Sequence, residues 1–279
     1  MSRRSTEPEL PISGAFPKPS RGLSPAQMWH AFSMLLTREI LRFGRIWVQT
    51  ILPPMIMTSL YFIVFGHLIG PRVGKIEGVP YISFLVPGLI LMSVITQSYA
   101  NVVSSFYGAK FARHIEELLV SPMPHWLIIL GYLAGGVARG LAVGAAVTLV
   151  AVFFAKIQVH DFTALILVMV LTSAVFSLGG MINAIYANSF DHISIVPTFV
   201  LTPLTYLGGV FYSIQMLPPF WQQVSLFNPI LYIISGFRHA MLGISDVPVY
   251  SSYLILIAAI IVLYSFTLFL FHRGIGMRG

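Results

Sequence analysis

The sequence predicts an all-α membrane protein with the architecture of six transmembrane helices, an N-terminal interfacial amphipathic helix and an external re-entrant helical hairpin. Three observations lead there. Hydrophobic residues make up 57% of the chain and charged residues only 9%, against the roughly 25% charge typical of a water-soluble domain. Long apolar runs recur, each sufficient for a hydrocarbon core of about 30 Å at 1.5 Å per residue. The basic residues gather in alternate connecting segments, as the positive-inside rule requires.

The elements follow in order. Pro8, Pro11, Pro17 and Pro19 stand among polar residues in the first 23 positions, which predicts a disordered cytoplasmic tail over 1–23, ahead of one membrane domain over 24–279. "SPAQ" then places Ser24 as a helix N-cap, Pro25 at the first helical position and Gln27 as the capping-box partner. In the helix that follows, Trp29, Phe32, Leu36, Ile40, Phe43 and Trp47 recur every three or four residues, with Arg38, Arg42 and Arg45 as a basic stripe on another face. An apolar face beside arginines predicts a helix lying in the headgroup plane of the bilayer.

Spans are expected at about 46–69, 83–107, 129–155, 163–186, 194–214 and 250–271. With the N-terminus inside, the cytoplasmic segments hold Arg3, Arg4, Lys18, Arg21, Arg38, Arg42, Arg45, Lys110, Arg113, Arg273 and Arg278; the external ones hold only Arg72, Lys75, Lys156 and Arg238. Both termini are therefore expected in the cytoplasm, which an even number of spans satisfies. Segment 215–249 is too polar for a full span, yet "FNPILYIISGF" within it is apolar and carries Pro229 and Gly236, expected to break it into an external hairpin that dips into the membrane.

Several function classes are disfavoured. The net charge of +7 is explained by topology, so no nucleic acid is expected as a partner. Cysteine is absent, which removes disulfides, thiolate metal sites and cysteine nucleophiles. All 9 acids fall outside the expected spans: Glu7, Glu9, Glu39, Glu77, Glu116, Glu117, Asp161, Asp191 and Asp246. A carrier driven by protons or sodium usually needs an acid near the midplane. His160–Asp161 and Asp191–His192 are adjacent acid–base pairs without a third partner, and neither HExxH nor GxSxG occurs. No catalytic residue, bound cofactor or metal site is therefore expected. "GGVARG" over 135–140 lacks the Lys-Ser/Thr of a phosphate-binding loop. Its glycines instead begin a repeat of four, Gly136, Gly140 and Gly144, that suits close helix packing. Arg139 sits among them, either as a polar anchor or as a side chain reaching for the headgroups.

Polar residues grain two spans. Gln97, Asn101 and Ser104 share one face of the second, and Thr198, Thr202 and Thr205 one face of the fifth. Such faces suit a polar pathway or hydrogen-bonded helix packing equally well.

The chain resembles the ABC-2-type permeases. The resemblance rests on the amphipathic helix, the six spans, "RHIEELLVSPMPHW" over 113–126 and "LPPFWQQVSLFNPILYIISGFRHAMLG" over 217–243, and it covers about residues 26–279. It implies the membrane-spanning subunit of an exporter in the bacterial inner membrane, a homodimer in the lipid bilayer working with two copies of a separate ABC ATPase subunit. ATP and Mg would then be bound by that partner. The first cytoplasmic loop would carry a coupling helix, with Arg113, Glu116 and Glu117 placed for charge pairing and Leu118 and Leu119 anchoring it by burial. The second and fifth spans would line the translocation path, which points to Gln97, Asn101, Thr198 and Thr202. The other reading is a membrane-embedded enzyme or assembly factor acting on lipid or glycan without ATP.

Overall fold

The computed structural model describes residues 23–157 and 159–276. All of the expected tail except residue 23 lies outside the described residues. Helix α1 spans Pro25–Arg45 and starts as expected: the Ser24 hydroxyl accepts from the Gln27 amide, and the Gln27 side chain accepts from the Ser24 amide in return. The chain turns at Ile46, whose φ of −110° departs from the helix, and continues as α2, Trp47–Val73. Pro53 and Pro54 lie inside α2, and its residues Phe62–Ile69 form a π-helical stretch.

A two-stranded antiparallel hairpin follows, β1 Lys75–Ile76 and β2 Val79–Pro80, turned through Glu77 and Gly78 at φ 50° and 85°. Helix α3, Tyr81–Phe111, is the longest at 31 residues. Helix α4, His114–Val120, is short and links α3 to α5, His125–Phe154. Helix α6, Phe162–Tyr186, is capped by Asp161, which accepts from the Ala164 amide at 3.0 Å. Helix α7 covers 190–207 as Phe190–Val196, a π-helical turn Pro197–Leu201 and Thr202–Leu207. Helices α8, Pro219–Leu226, and α9, Pro229–Leu242, follow in close succession, and α10, Val249–Arg273, ends the described fold at Gly276.

Among the described residues, 5 helices are long and apolar enough to cross a membrane: α2, α3, α5, α6 and α10. The expected fifth span over 194–214 differs. Helix α7 begins earlier, carries a π turn at Pro197, and stops at Gly208 because Gly209 turns the chain at φ 81°. The expectation for Gly236 is corrected outright. It does not break the apolar segment but lies within α9, where a Cβ would stand 2.8 Å from that of Ser252. A glycine there lets α9 close on α10.

The core is built around α3. It is flanked by α5 and α6, and α9 and α10 complete the packed body. Backbones approach closely where glycine removes the side chain: a Cβ on Gly180 of α6 would stand 2.6 Å from the Tyr99 carbonyl oxygen of α3. Helices α2 and α7 sit outside this body and remain largely exposed. At one end of the molecule lie α4, the α6–α7 turn and the end of α10. Lys110 ties this end together, donating to the Ile185 and Ala187 carbonyls at 2.8 and 2.9 Å. The β-hairpin, residues 159–161 and 208–248 gather at the other end, where the Ser213 hydroxyl donates to Glu77 and the Asp161 amide to the Ala240 carbonyl.

Candidate functional site

Helix α4 hangs from the ends of the two longest helices. Ile115 is 1% exposed and pins it to the apolar cluster formed by Phe106, Ile128 and Tyr132, with Leu118 and Leu119 half-buried against the same cluster. Arg113, Glu116 and Glu117 are exposed. Both acids lie in the first turn, where the helix dipole favours negative charge. The chain enters through Arg113 at φ 59°, a left-handed conformation that costs a non-glycine residue energy and fixes the direction of α4.

Helix α1 packs on protein rather than offering every arginine to headgroups. Its inward residues are Leu35, Glu39 and Phe43, one turn apart each. Trp29, Ile40 and Trp47, expected on the apolar face, are exposed at 70%, 40% and 57%. Burial follows the glycines of α5 instead: a Cβ on Gly131 would meet Leu35 at 2.2 Å, and one on Gly135 would meet Glu39 at 2.6 Å. Periodicity alone hid this, because the seat on α5 lies about a hundred positions away in sequence.

Glu39 is 1% exposed. A buried carboxylate needs several donors, and it has them: the Ser105 hydroxyl at 2.7 Å, Arg38 at 3.3 Å and Arg42 at 3.4 Å. Arg38 also donates to the Tyr132 hydroxyl at 3.0 Å. Burial works against its charge, but Tyr132 and Glu39 together hold the Arg38 pKa above the ordinary arginine value. Arg42 turns inward as well, donating to the Asn101 side-chain oxygen at 2.7 Å, the Asn101 carbonyl at 2.9 Å and the Ser104 hydroxyl at 3.2 Å. Only Arg45 of the stripe stands free of these contacts, exposed at the end of α1.

Arg139 continues the same seam, one turn beyond Gly135. It is 8% exposed and donates to Gln97 at 2.5 Å. Of the two readings of this arginine, an anchor inside the helix packing fits the geometry. Gln97 is half-buried and also lines a cavity of about 230 Å³ between α2 and α3, together with Thr58, Ser93 and Thr96. Asn101, one turn further along α3, is fully buried. It faces Arg42 and lies off the exposed side of the helix. Thr198 and Thr202 are exposed on α7, with the Thr202 hydroxyl bonded to the Pro197 carbonyl across the π turn.

Gly136, Gly140 and Gly144 lie on a second seam of α5, towards α6 and α3. A Cβ at these positions would stand 2.1 Å from the Ser177 hydroxyl oxygen, 2.5 Å from that of Ser173 and 2.3 Å from the Met169 methyl.

At the far end a charged cluster escaped sequence reasoning. Arg238, 1% exposed, donates to Asp246 and to the Gly209 carbonyl, and its guanidinium lies 3.9 Å from the centre of the Phe84 ring. The Ser213 hydroxyl bridges Asp246 and Glu77. The spacing Arg238–Asp246 across a helix end was the available signal, but the sequence alone places the two only outside the expected spans.

Residues 30–242 match the family model for ABC-2 type transporters. The chain is 56% identical over 250 residues to the inner membrane transport permease YadH of Escherichia coli, covering 90% of this chain and 98% of that protein. It is 29% identical over 187 residues to nodulation protein J of Sinorhizobium fredii, covering 67% and 71% of the two chains. For nodulation protein J of Rhizobium meliloti the identity is 26% over 220 residues, covering 78% and 84%.

Proposed function

The chain belongs to the ABC-2 type transporter family, and on that premise we propose that it is the permease subunit of an ATP-driven exporter, a homodimer that couples to two copies of a separate ATPase subunit. ATP and Mg belong to that partner, and this chain supplies the path. The domain runs over 24–279, both termini are cytoplasmic, α7 completes six spans, and the α8–α9 hairpin re-enters the membrane from outside.

The observation that carries this reading is the mounting of α4. A seven-residue helix with an apolar anchor at Ile115 and a free acidic edge at Glu116 and Glu117 is suited to pass a push from a docked protein into α3 and α5. Helix α1 joins the same lever through Glu39 and Ser105. Helices α2 and α7 leave their outer faces uncovered in one copy, which supports a second copy against them and a path between, lined from Gln97, Thr198 and Thr202. Asn101 stands behind that surface, holding Arg42.

The test is co-expression with a candidate ABC ATPase subunit from the same organism. The tagged permease is expected to bring down that ATPase in equal amount, and the pair to hydrolyse ATP. A permease that purifies alone and never binds an ATPase rules the reading out.

A further inference from the structure

The cluster beneath α1 is unbalanced in charge. Arg38 and Arg42 share one carboxylate, Glu39, and Arg139 brings a third positive charge to the same helix packing. Arg139 has no acidic partner among the described residues; its bond is to the neutral Gln97. Arg42 and Arg139 bind Asn101 and Gln97, one turn apart on α3, so two like charges are neighbours in a low-dielectric setting. Three buried donors at this place also lack an acceptor among the described residues: Arg42 Nε, Arg139 Nε and Asn101 Nδ2. Asn101 is 0% and Arg139 8% exposed. Buried polar groups ordinarily have partners, and unmatched acceptors are missing from this set. Donors of this kind, two of them on cations, suit an anionic acceptor.

The cluster also borders accessible space. The Arg42 side chain is 31% exposed. Gln97, which holds Arg139, opens onto the cavity between α2 and α3, where Pro53, Met57 and Met92 give apolar walls beside Ser93 and Thr96. We propose that Arg42, Asn101 and Arg139 form an anion-binding site that takes the phosphate headgroup of an amphiphile, whose apolar part occupies the cavity beside Gln97. On the exporter reading, on which this step rests, an anionic amphiphile is then the class of molecule exported.

The test uses the full chain in phosphatidylcholine nanodiscs, titrated with inorganic phosphate, dodecyl phosphate and dodecyl glucoside. Dodecyl phosphate is expected to bind saturably and about tenfold tighter than the glucoside, the margin of one charge-assisted hydrogen bond. Arg139→Gln and Arg42→Gln should each abolish that margin, whereas Arg45→Gln, on the same helix but outside the nest, should keep it. Unfolding temperatures measured without ligand separate lost binding from lost fold, and Arg42→Gln at the open edge provides an arm that does not depend on burial. Inorganic phosphate binding with the same variant dependence supports the nest and assigns it a free anion; binding of the dodecyl ester alone assigns the amphiphile. A lipid source is told from a transported one by ATP hydrolysis: only a transported amphiphile should stimulate the reconstituted complex. Equal affinity for phosphate ester and glucoside, or an unchanged margin in both folded variants, overturns the site. Binding without any ATPase partner would sink the exporter reading and leave the site, and an active complex without binding would do the reverse.

Discussion

Arg238 and Asp246 form an ion pair in which each side chain is 1% exposed, and it joins α9 to the segment that leads into α10. Removing one partner strands a charge where water cannot reach it. Asp246→Ala is therefore expected to destabilise the protein by about 3–5 kcal/mol, whereas replacing both partners with apolar residues, Arg238→Met with Asp246→Leu, should recover most of that loss. Thermal unfolding in detergent, followed by size-exclusion chromatography, measures both. A neutral Asp246→Ala would show that the pair carries no strong coupling.

The second seam of α5 predicts a compensated pair. Gly140→Ala puts a methyl 2.5 Å from the Ser173 hydroxyl oxygen, an overpacking expected to cost about 1–3 kcal/mol. That hydroxyl is buried without a partner among the described residues, so Ser173→Ala should be neutral or stabilising. Together the two changes should restore most of the stability lost by Gly140→Ala alone. If the double variant is no better than the single one, the contact is not what limits the seam.

What the sequence disclosed was local or periodic. The Ser24–Gln27 capping box marked the start of α1, because it acts within a few residues. What it hid was set by partners far along the chain. Glu39 reads as a surface acid on a helix, yet Ser105, 66 positions away, buries it. Asn101 reads as part of a polar face, yet Arg42, 59 positions away, claims it. Gly236 reads as a breaker because its neighbour Ser252 is invisible in the local pattern. Helix α7 departs from its expected span because a π turn and two glycines decide where it ends.

Orientation is testable because the chain has no cysteine, so single introduced thiols give clean signals. Lys75→Cys on β1 is expected to react with an impermeant maleimide in intact cells, and Val120→Cys, 67% exposed at the end of α4, only after permeabilisation. The reverse pattern would invert the topology and place α4 away from any cytoplasmic ATPase.

Glu116 and Glu117 should decide docking. Both are exposed and take no part in an ion pair among the described residues, so reversing both to Lys leaves the apolar anchors of α4 untouched. Like charges at a contact cost several kcal/mol, and the charge reversal is expected to abolish co-purification of the ATPase while the permease stays folded. Undiminished co-purification and ATP hydrolysis would remove these acids from the interface.

Two residues five positions apart on α3 should part company. Asn101 is fully buried and gives Arg42 a side-chain acceptor at 2.7 Å. Thr96 is exposed, bonds among the described residues only its own helix at the Met92 carbonyl, and lines the cavity shared with α2. Asn101→Leu removes a hydrogen bond to a charged donor and is expected to cost about 1.5–3 kcal/mol. Thr96→Val keeps the shape and touches no partner, so its effect on stability should stay within about 0.5 kcal/mol. Transport should respond in the opposite sense. Asn101→Leu should lower activity largely as the folded fraction falls, with a further loss for anionic substrates if the nest beneath α1 holds them. Thr96→Val should leave assembly with the ATPase intact and change how strongly a given substrate stimulates ATP hydrolysis. Unfolding temperature and substrate-stimulated hydrolysis, measured on the same purified complexes, separate the two. If Thr96→Val leaves stimulation unchanged for every substrate tested, the cavity between α2 and α3 lies off the path, and the outer face of α7 at Thr198 and Thr202 becomes the surface to probe.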